Sequence, residues 1–263
     1  MTIKKWIKEK IDLYTRGRAV SIRDNDVMIV SYPKSGNTWM RFLIGNYLYE
    51  ELDFINMENL IPDIYVVNEK KLSKMKSPRI MKSHEYFDPR YKKCIYIVRD
   101  PRSVAVSYYH FLKKYGRIDL DSDFYEYLKV FVKGGYDNYA AWDEHVMSWY
   151  GIKKDKTEDF IFIKYEDMLA APEKVLRDVL EFLGENVSDE CVEKAVSSSS
   201  FEKMRLKESY QSGKSEVLKQ SNGALPFVRS GRKDEWKEYF DEKCMLLIEK
   251  RFGPVMKETG YDH

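Results

Sequence analysis

The sequence predicts an α/β protein, a single domain over residues 1–263. Three observations lead there. The apolar runs Val27–Val30, Cys94–Val98 and Phe160–Ile163 each end in a polar or turn-forming stretch that passes into helical periodicity. Four successive apolar residues at Phe160–Ile163 suit a strand covered on both faces. A chain of 263 residues can also bury one sizeable core.

Taken in order, the elements begin with Met1–Arg16, where Ile3, Trp6, Ile7 and Ile11 fall near helical spacing among lysines. A lid helix over residues 1–20 is the expectation, with a membrane-surface helix as the alternative. Val27–Ser31 reads as the first strand and Asn37–Tyr49 as the first helix. Between them runs Tyr32-Pro33-Lys34-Ser35-Gly36. The first N–H groups of a helix lack intrahelical partners, and the helix dipole adds partial positive charge there. An anion, most often phosphate, is the natural guest. Gly36 permits positive φ and a close approach of the backbone. Lys34 adds a mobile cation, and Ser35, Asn37 and Thr38 add side-chain donors. The loop reads as a cradle for the 5′ end of a nucleotide. It departs from the ATP-binding pattern G-x-x-x-x-G-K-[ST], because its lysine precedes its only glycine.

Residues 51–77 read as irregular, broken by Asp53, Asn56, Asn59, Pro62 and Asp63. Phe54, Ile55, Leu60, Ile61, Ile64 and Tyr65 within it are candidates for a pocket wall. Lys70, Lys71, Lys74, Lys76 and Arg79 read as a solvated face, with contact to an acidic acceptor as the other reading. Arg79–Lys82 is a short strand that ends in Ser83-His84. Ligands of open α/β sheets bind beyond the carboxyl ends of strands, so His84 and the Lys34 loop can share one edge. The strand Cys94–Val98 ends in Arg99-Asp100-Pro101, and a helix follows over Arg102–Lys114. Arg99 suits a bidentate phosphate contact. Helices are expected at Asp121–Lys133 and Asn138–Tyr150, a strand at Phe160–Lys164, and helices at Pro172–Leu183, Ser188–Ser197 and Phe240–Phe252. A polar stretch at 206–225 reads as a mobile loop over the site.

Several of these segments carry a resemblance. Pro33-Lys34-Ser35-Gly36-Asn37-Thr38-Trp39 resembles the 5′-phosphosulfate loop of the sulfotransferases that use 3′-phosphoadenosine 5′-phosphosulfate (PAPS). Lys82-Ser83-His84 resembles their Lys-Thr-His element, whose histidine is the base. The segment Tyr96–Phe111 is similar to their 3′-phosphate segment, which implies that Arg99 and Ser107 hold the 3′-phosphate. Tyr165-Glu166-Asp167 is similar to an element whose tyrosine contacts the adenine side. Ser199, Phe201 and Met204 fall on a Thr-Ser-Phe-x-x-Met stretch at the adenosine, with Ser199 in the threonine's place. Arg229-Ser230-Gly231 departs from the family's Arg-Lys-Gly at Ser230, with Arg232 or Lys233 as substitutes. The family's C-terminal dimer motif is not evident, since Asp241 follows Phe240, which leaves the oligomeric state open.

The resemblance implies an open parallel sheet related to the P-loop kinases, with PAPS at the strand ends. The implied reaction moves a sulfuryl group to a small-molecule, lipid or glycan hydroxyl. His84 is then the base, Lys34 meets the charge on the leaving phosphate, and Lys82 with Thr38 holds the transferring oxygens. A sulfuryl group carries less charge than a phosphoryl group, and the sequence offers no metal-ligand cluster, so no metal is expected. Two alternatives stand beside this: an ATP-dependent phosphotransferase, with Asp100 as the acidic Mg²⁺ ligand, and a non-catalytic nucleotide-binding or membrane-docking module.

Composition sets the outer bounds. The net charge of +2 gives no dominant nucleic-acid surface. Cys94, Cys191 and Cys244 are far apart and form no C-x-x-C pair, which favours a reducing compartment. No stretch reaches transmembrane length, and the N-terminus is too charged for a secretory signal. A cytoplasmic protein is the expectation, with peripheral membrane contact as an option.

Overall fold

The computed structural model describes residues 19–154, 158–211, 214, 226–229 and 231–261. Strand β1, Val27–Ser31, is buried at every position. It pairs in parallel with β2, Ile80–Ser83, on one side and with β3, Lys93–Val98, on the other. Strand β4, Phe160–Lys164, joins β3, so the order is β2-β1-β3-β4 with every pairing parallel. The register sets Val30 beside Ser83, Ser31 beside Ile97, and Val98 beside Lys164. The loops that leave all four strands therefore emerge along one sheet edge.

The period of two along a strand divides the core. Met28, Val30, Cys94, Tyr96 and Val98 face one way. They pack against α4 (Pro101–Lys114), α5 (Phe124–Phe131), α6 (Trp142–Lys153) and α11 (Glu242–Glu258). Val27, Ile29, Ile95 and Ile97 face the other way, onto α1 (Asn37–Tyr49), α8 (Pro172–Leu183) and α9 (Asp189–Ser198). A sheet covered on both faces explains why its strands read as unbroken apolar runs.

Several expectations are corrected. Residues 51–77 hold two short helices, α2 (Phe54–Leu60) and α3 (Glu69–Ser73). Asp53 and Asn68 cap their first turns, accepting from Asn56 N–H at 2.7 Å and Lys71 N–H at 2.8 Å. The breaker Asp53 is thus a helix start. Arg79 is buried against Asp26 and is not part of a solvated face. The helices expected from Asp121 and Asn138 begin at Phe124 and Trp142. Tyr165–Ala170 forms an unexpected short helix, α7. Helix α10, Phe201–Gln211, runs through the first six positions of the expected 206–225 loop. Most of that loop's remainder, and the expected lid helix up to residue 18, lie outside the described residues. Helix α11 continues past Phe252 and through Pro254, because buried Phe252 and Met256 on either side hold it to the core.

Candidate active site

The chain leaves β1 through a tight turn. Lys34 and Gly36 both lie in the left-handed region, at φ +70° and +100°. Alternating handedness of this kind curls successive N–H groups around a concavity suited to an anion. Gly36 is required twice over: its φ is positive, and a Cβ there would sit 2.5 Å from Cδ2 of Tyr165. Asn37 turns inward, donating from Nδ2 to the Ile29 carbonyl at 2.9 Å, so it braces the loop. Ser35 is buried and is not among the residues lining the cavity.

A cavity of about 660 Å³ opens over the edge. It brings together Lys34, Gly36, Asn37, Thr38 and Trp39 from the first loop with Lys82, His84, Arg99 and Ser107. Tyr165, Ser199, Phe201, Met204, Arg229 and Gly231 complete the predicted set, while Ser230 lies outside the described residues. Lys34 and Arg99 meet directly: Arg99 Nη1 donates to the Lys34 carbonyl at 3.1 Å. The Arg99 guanidinium lies over the Tyr165 ring at 4.2 Å, and Trp39 packs edge-on to Tyr165 at 5.9 Å. Trp39 Nε1 donates to the Ser199 carbonyl at 3.0 Å. The Ser199 hydroxyl is turned into the protein, donating to Ala195 O and accepting from Asn46 Nδ2, both at 2.8 Å.

Positive charge is concentrated here. The Lys34 ammonium sits 4.6 Å from the centres of both the Phe111 and Phe227 rings. Burial, then Arg99, Lys82, Arg229 and Lys114, lower its pKa to about 7. Arg99 Nε is buried with no partner among the described residues. Lys82 and Arg229 are partly compensated. Lys82 Nζ contacts Asp63 Oδ2 at 2.5 Å, and Arg229 forms a two-pronged pair with Glu235. A cluster of cations with an orphaned guanidinium nitrogen fits a ligand carrying several negative charges. The expected substitutes for Ser230 do not line the cavity: Arg232 turns to Glu238 at 2.9 Å, and Lys233 offers its carbonyl to Ser103.

The His84 ring is fixed by an Nδ1–H donation to the Ser31 carbonyl at 2.7 Å, which leaves the Nε2 lone pair without a partner among the described residues. It stacks on Tyr65 at 6.3 Å and meets Tyr139 edge-on at 5.7 Å. Burial, then the Lys82 charge, holds its pKa well below 6.5, so the ring is neutral at physiological pH. Asp100, the candidate Mg²⁺ ligand, caps α4 through Arg102 N–H at 2.8 Å and pairs with the Arg102 side chain at 2.7 Å. No metal-ligand cluster occurs among the described residues, and no described helix is long and apolar enough to cross a membrane. Sequence reasoning missed Asp63 and Tyr139. Asp63 read only as a breaker beside Pro62, and Tyr139 carried no signal separating it from the core aromatics around it.

Residues 24–260 match the Sulfotransferase domain family. Sulfotransferase 1E1 of Bos taurus is 32% identical over 269 residues, covering 95% of this chain and 90% of that protein. Sulfotransferase 1B1 of Canis lupus familiaris is 32% identical over 255 residues, covering 88% and 84%. The solved structure of mouse sulfotransferase SULT7A1 complexed with PAP superposes with a TM-score of 0.74 at 25% identity, covering 97% of this chain and 94% of that one. With a nucleotide-type loop, a neutral histidine and a cationic cleft on one sheet edge, and a family match across nearly its whole length, this chain belongs to the sulfotransferase family and is an enzyme of sulfuryl transfer.

Proposed function

We propose that the chain moves the sulfuryl group of PAPS to the hydroxyl of a small molecule with a flat apolar body, using His84 as the base. The observation that carries this is His84 itself. A neutral imidazole whose Nε2 has no partner among the described residues lines the same cavity as the Lys34–Arg99 pair. When bound, PAPS supplies an activated sulfuryl group attached to a phosphate leaving group. Nε2 of His84 takes the acceptor's hydroxyl proton as that oxygen attacks. Lys34, held between two rings, meets the charge left on the phosphate. Thr38 and Lys82 orient the transferring oxygens, with Asp63 steadying the Lys82 ammonium. Arg99, Ser107 and Arg229 hold the 3′-phosphate. Tyr165, Trp39, Ser199, Phe201 and Met204 surround the adenosine, with Ser199 acting through its carbonyl bond to Trp39.

Tyr65 and Tyr139 flank His84, and their rings support a flat acceptor. A cytoplasmic setting belongs to the same reading and is supported by three free cysteines. The test is an acceptor screen with labelled PAPS, with phenols, alkyl alcohols, lipids and glycans as separate arms and mass spectrometry of the products. Phenols and apolar alcohols are expected to be sulfated. Inhibition by adenosine 3′,5′-bisphosphate but not ATP, and undiminished turnover in EDTA, are expected alongside. His84→Ala should bind adenosine 3′,5′-bisphosphate as wild type does and lose about 100-fold or more in kcat. Wild-type turnover in that variant would remove His84 as the base, and no turnover with any acceptor would favour a binding module.

A further inference from the structure

The backbone at residues 84 and 85 has left the sheet, so its polar groups no longer have ladder partners. Buried backbone groups must be paired. Here side chains do it. His84 N–H donates to the Tyr65 hydroxyl at 3.0 Å, and Glu85 N–H donates to Ser83 Oγ at 3.0 Å. The two carbonyls are served by α6: His145 Nε2 donates to His84 O at 3.0 Å, and Trp149 Nε1 donates to Glu85 O at 2.9 Å. His145 and Trp149 are four residues apart, hence on one helix face, and both are fully buried. Consecutive carbonyls of the loop are thereby pinned by successive turns of one helix.

The His145 tautomer follows from its partners. A carbonyl only accepts, so Nε2 carries the hydrogen. Nδ1 is then the acceptor for the Tyr96 hydroxyl, 2.9 Å away on β3. Tyr96 stacks on the ring at 5.9 Å, and Tyr32 of the Lys34 loop packs edge-on at 5.6 Å. Burial lowers the His145 pKa to about 4, which keeps this arrangement intact at working pH. His145 does not line the cavity and touches no reacting atom.

The geometry points to His145 as a positioning residue for sulfuryl transfer: its Nε2–H, locked by Tyr96, holds the His84 carbonyl and so aims the His84 imidazole at the acceptor. The inference rests on the reading of His84 as the base. The ring is already restrained at Nδ1 by the Ser31 carbonyl from β1. His145 adds a restraint on the residue's own carbonyl, beside those that the Tyr65 hydroxyl and Ser83 Oγ place on the neighbouring N–H groups. Without the His145 bond the His84 carbonyl is left unpaired in the interior, the peptide shifts to satisfy it against the remaining bonds, and small misplacements of a reacting group cost large factors in rate.

The test compares His145→Leu, His145→Gln, Tyr96→Phe and His84→Ala in the full chain. The measurements are kcat and KM at saturating PAPS, adenosine 3′,5′-bisphosphate affinity by calorimetry, and the His84 tautomer by long-range ¹⁵N–¹H NMR. In His145→Leu, kcat should fall about 10-fold or more, with nucleotide affinity within about twofold of wild type. The His84 spectrum should change from one tautomer to a mixture. His145→Gln keeps an N–H donor and should recover most of the loss, and Tyr96→Phe should fall between. Wild-type kcat in a His145→Leu variant that binds nucleotide normally would overturn the inference while leaving an inactive His84→Ala, and the base, in place. Full activity in His84→Ala would overturn both. If His145→Leu does not fold, Tyr96→Phe decides the matter: a normal kcat with an unchanged His84 spectrum would overturn the positioning role.

Discussion

Lys34 shows how a single side chain can be set up for an anion before any anion arrives. Burial first, and then its cationic neighbours Arg99, Lys82, Arg229 and Lys114, lower its pKa to about 7. A bound bisphosphate reverses that field and restores the charge. Nucleotide binding should therefore take up a proton near Lys34 at pH 8. Affinity for adenosine 3′,5′-bisphosphate should weaken by up to about tenfold per pH unit above 7. Calorimetry in buffers of different ionisation enthalpy reads the proton directly. Lys34→Arg, charged throughout this range, should flatten the pH dependence; an equally steep slope in that variant would place the titrating group elsewhere.

Among elements, the loop between β1 and α1 does the most with the least sequence. Two left-handed residues, Lys34 and Gly36, make the turn, and the Tyr165 ring closes against the glycine. Gly36→Ala adds both conformational strain and a 2.5 Å collision with Tyr165. It should weaken nucleotide binding by about 1–3 kcal/mol, read as a change in Kd, with a smaller change in thermal midpoint. The Arg229 segment has the opposite character. Its guanidinium is occupied by Glu235, so a 3′-phosphate bound there as proposed would compete with a carboxylate. Glu235→Gln should tighten binding of adenosine 3′,5′-bisphosphate about two- to fivefold at low salt, and less at high salt. Unchanged affinity at low salt would mean that Arg229 does not reach the phosphate.

For the molecule as a whole, two histidines, His145 buried and His84 half-buried, tie the active edge to the core and make stability depend on pH. Both His84 and His145 have pKa values lowered by burial, His145 to about 4. The unfolded chain protonates them near 6.5, so between pH 4 and 6.5 it binds more protons than the folded chain does. Their stabilisation is thus complete above pH 6.5 and is lost as the pH falls. For His145 the linkage amounts to about 3 kcal/mol. Denaturant midpoints should drop across this window in wild type and less steeply in His145→Gln. Parallel slopes would show that His145 is not neutral in the folded state.

Local chemistry carried much of this protein into its sequence. The strand Val27–Ser31 and the helices Asn37–Tyr49 and Pro172–Leu183 stand where apolar runs, Gly36 and Pro172 place them, because those signals act within a few residues. Lys34, His84 and Arg99 were legible as candidates because each sits in a strand-end segment, and the parallel register brings those segments to one edge, whereas Ser107, inside α4, was legible through the resemblance of Tyr96–Phe111. What the chain could not declare locally is which partner each side chain takes. Asp63 meets Lys82, Glu235 meets Arg229, and His145 meets the His84 carbonyl across 61 residues. Such pairings depend on which helix packs over which strand end. That is decided by burial of the two sheet faces and by the need to satisfy every polar group left in the dry interior.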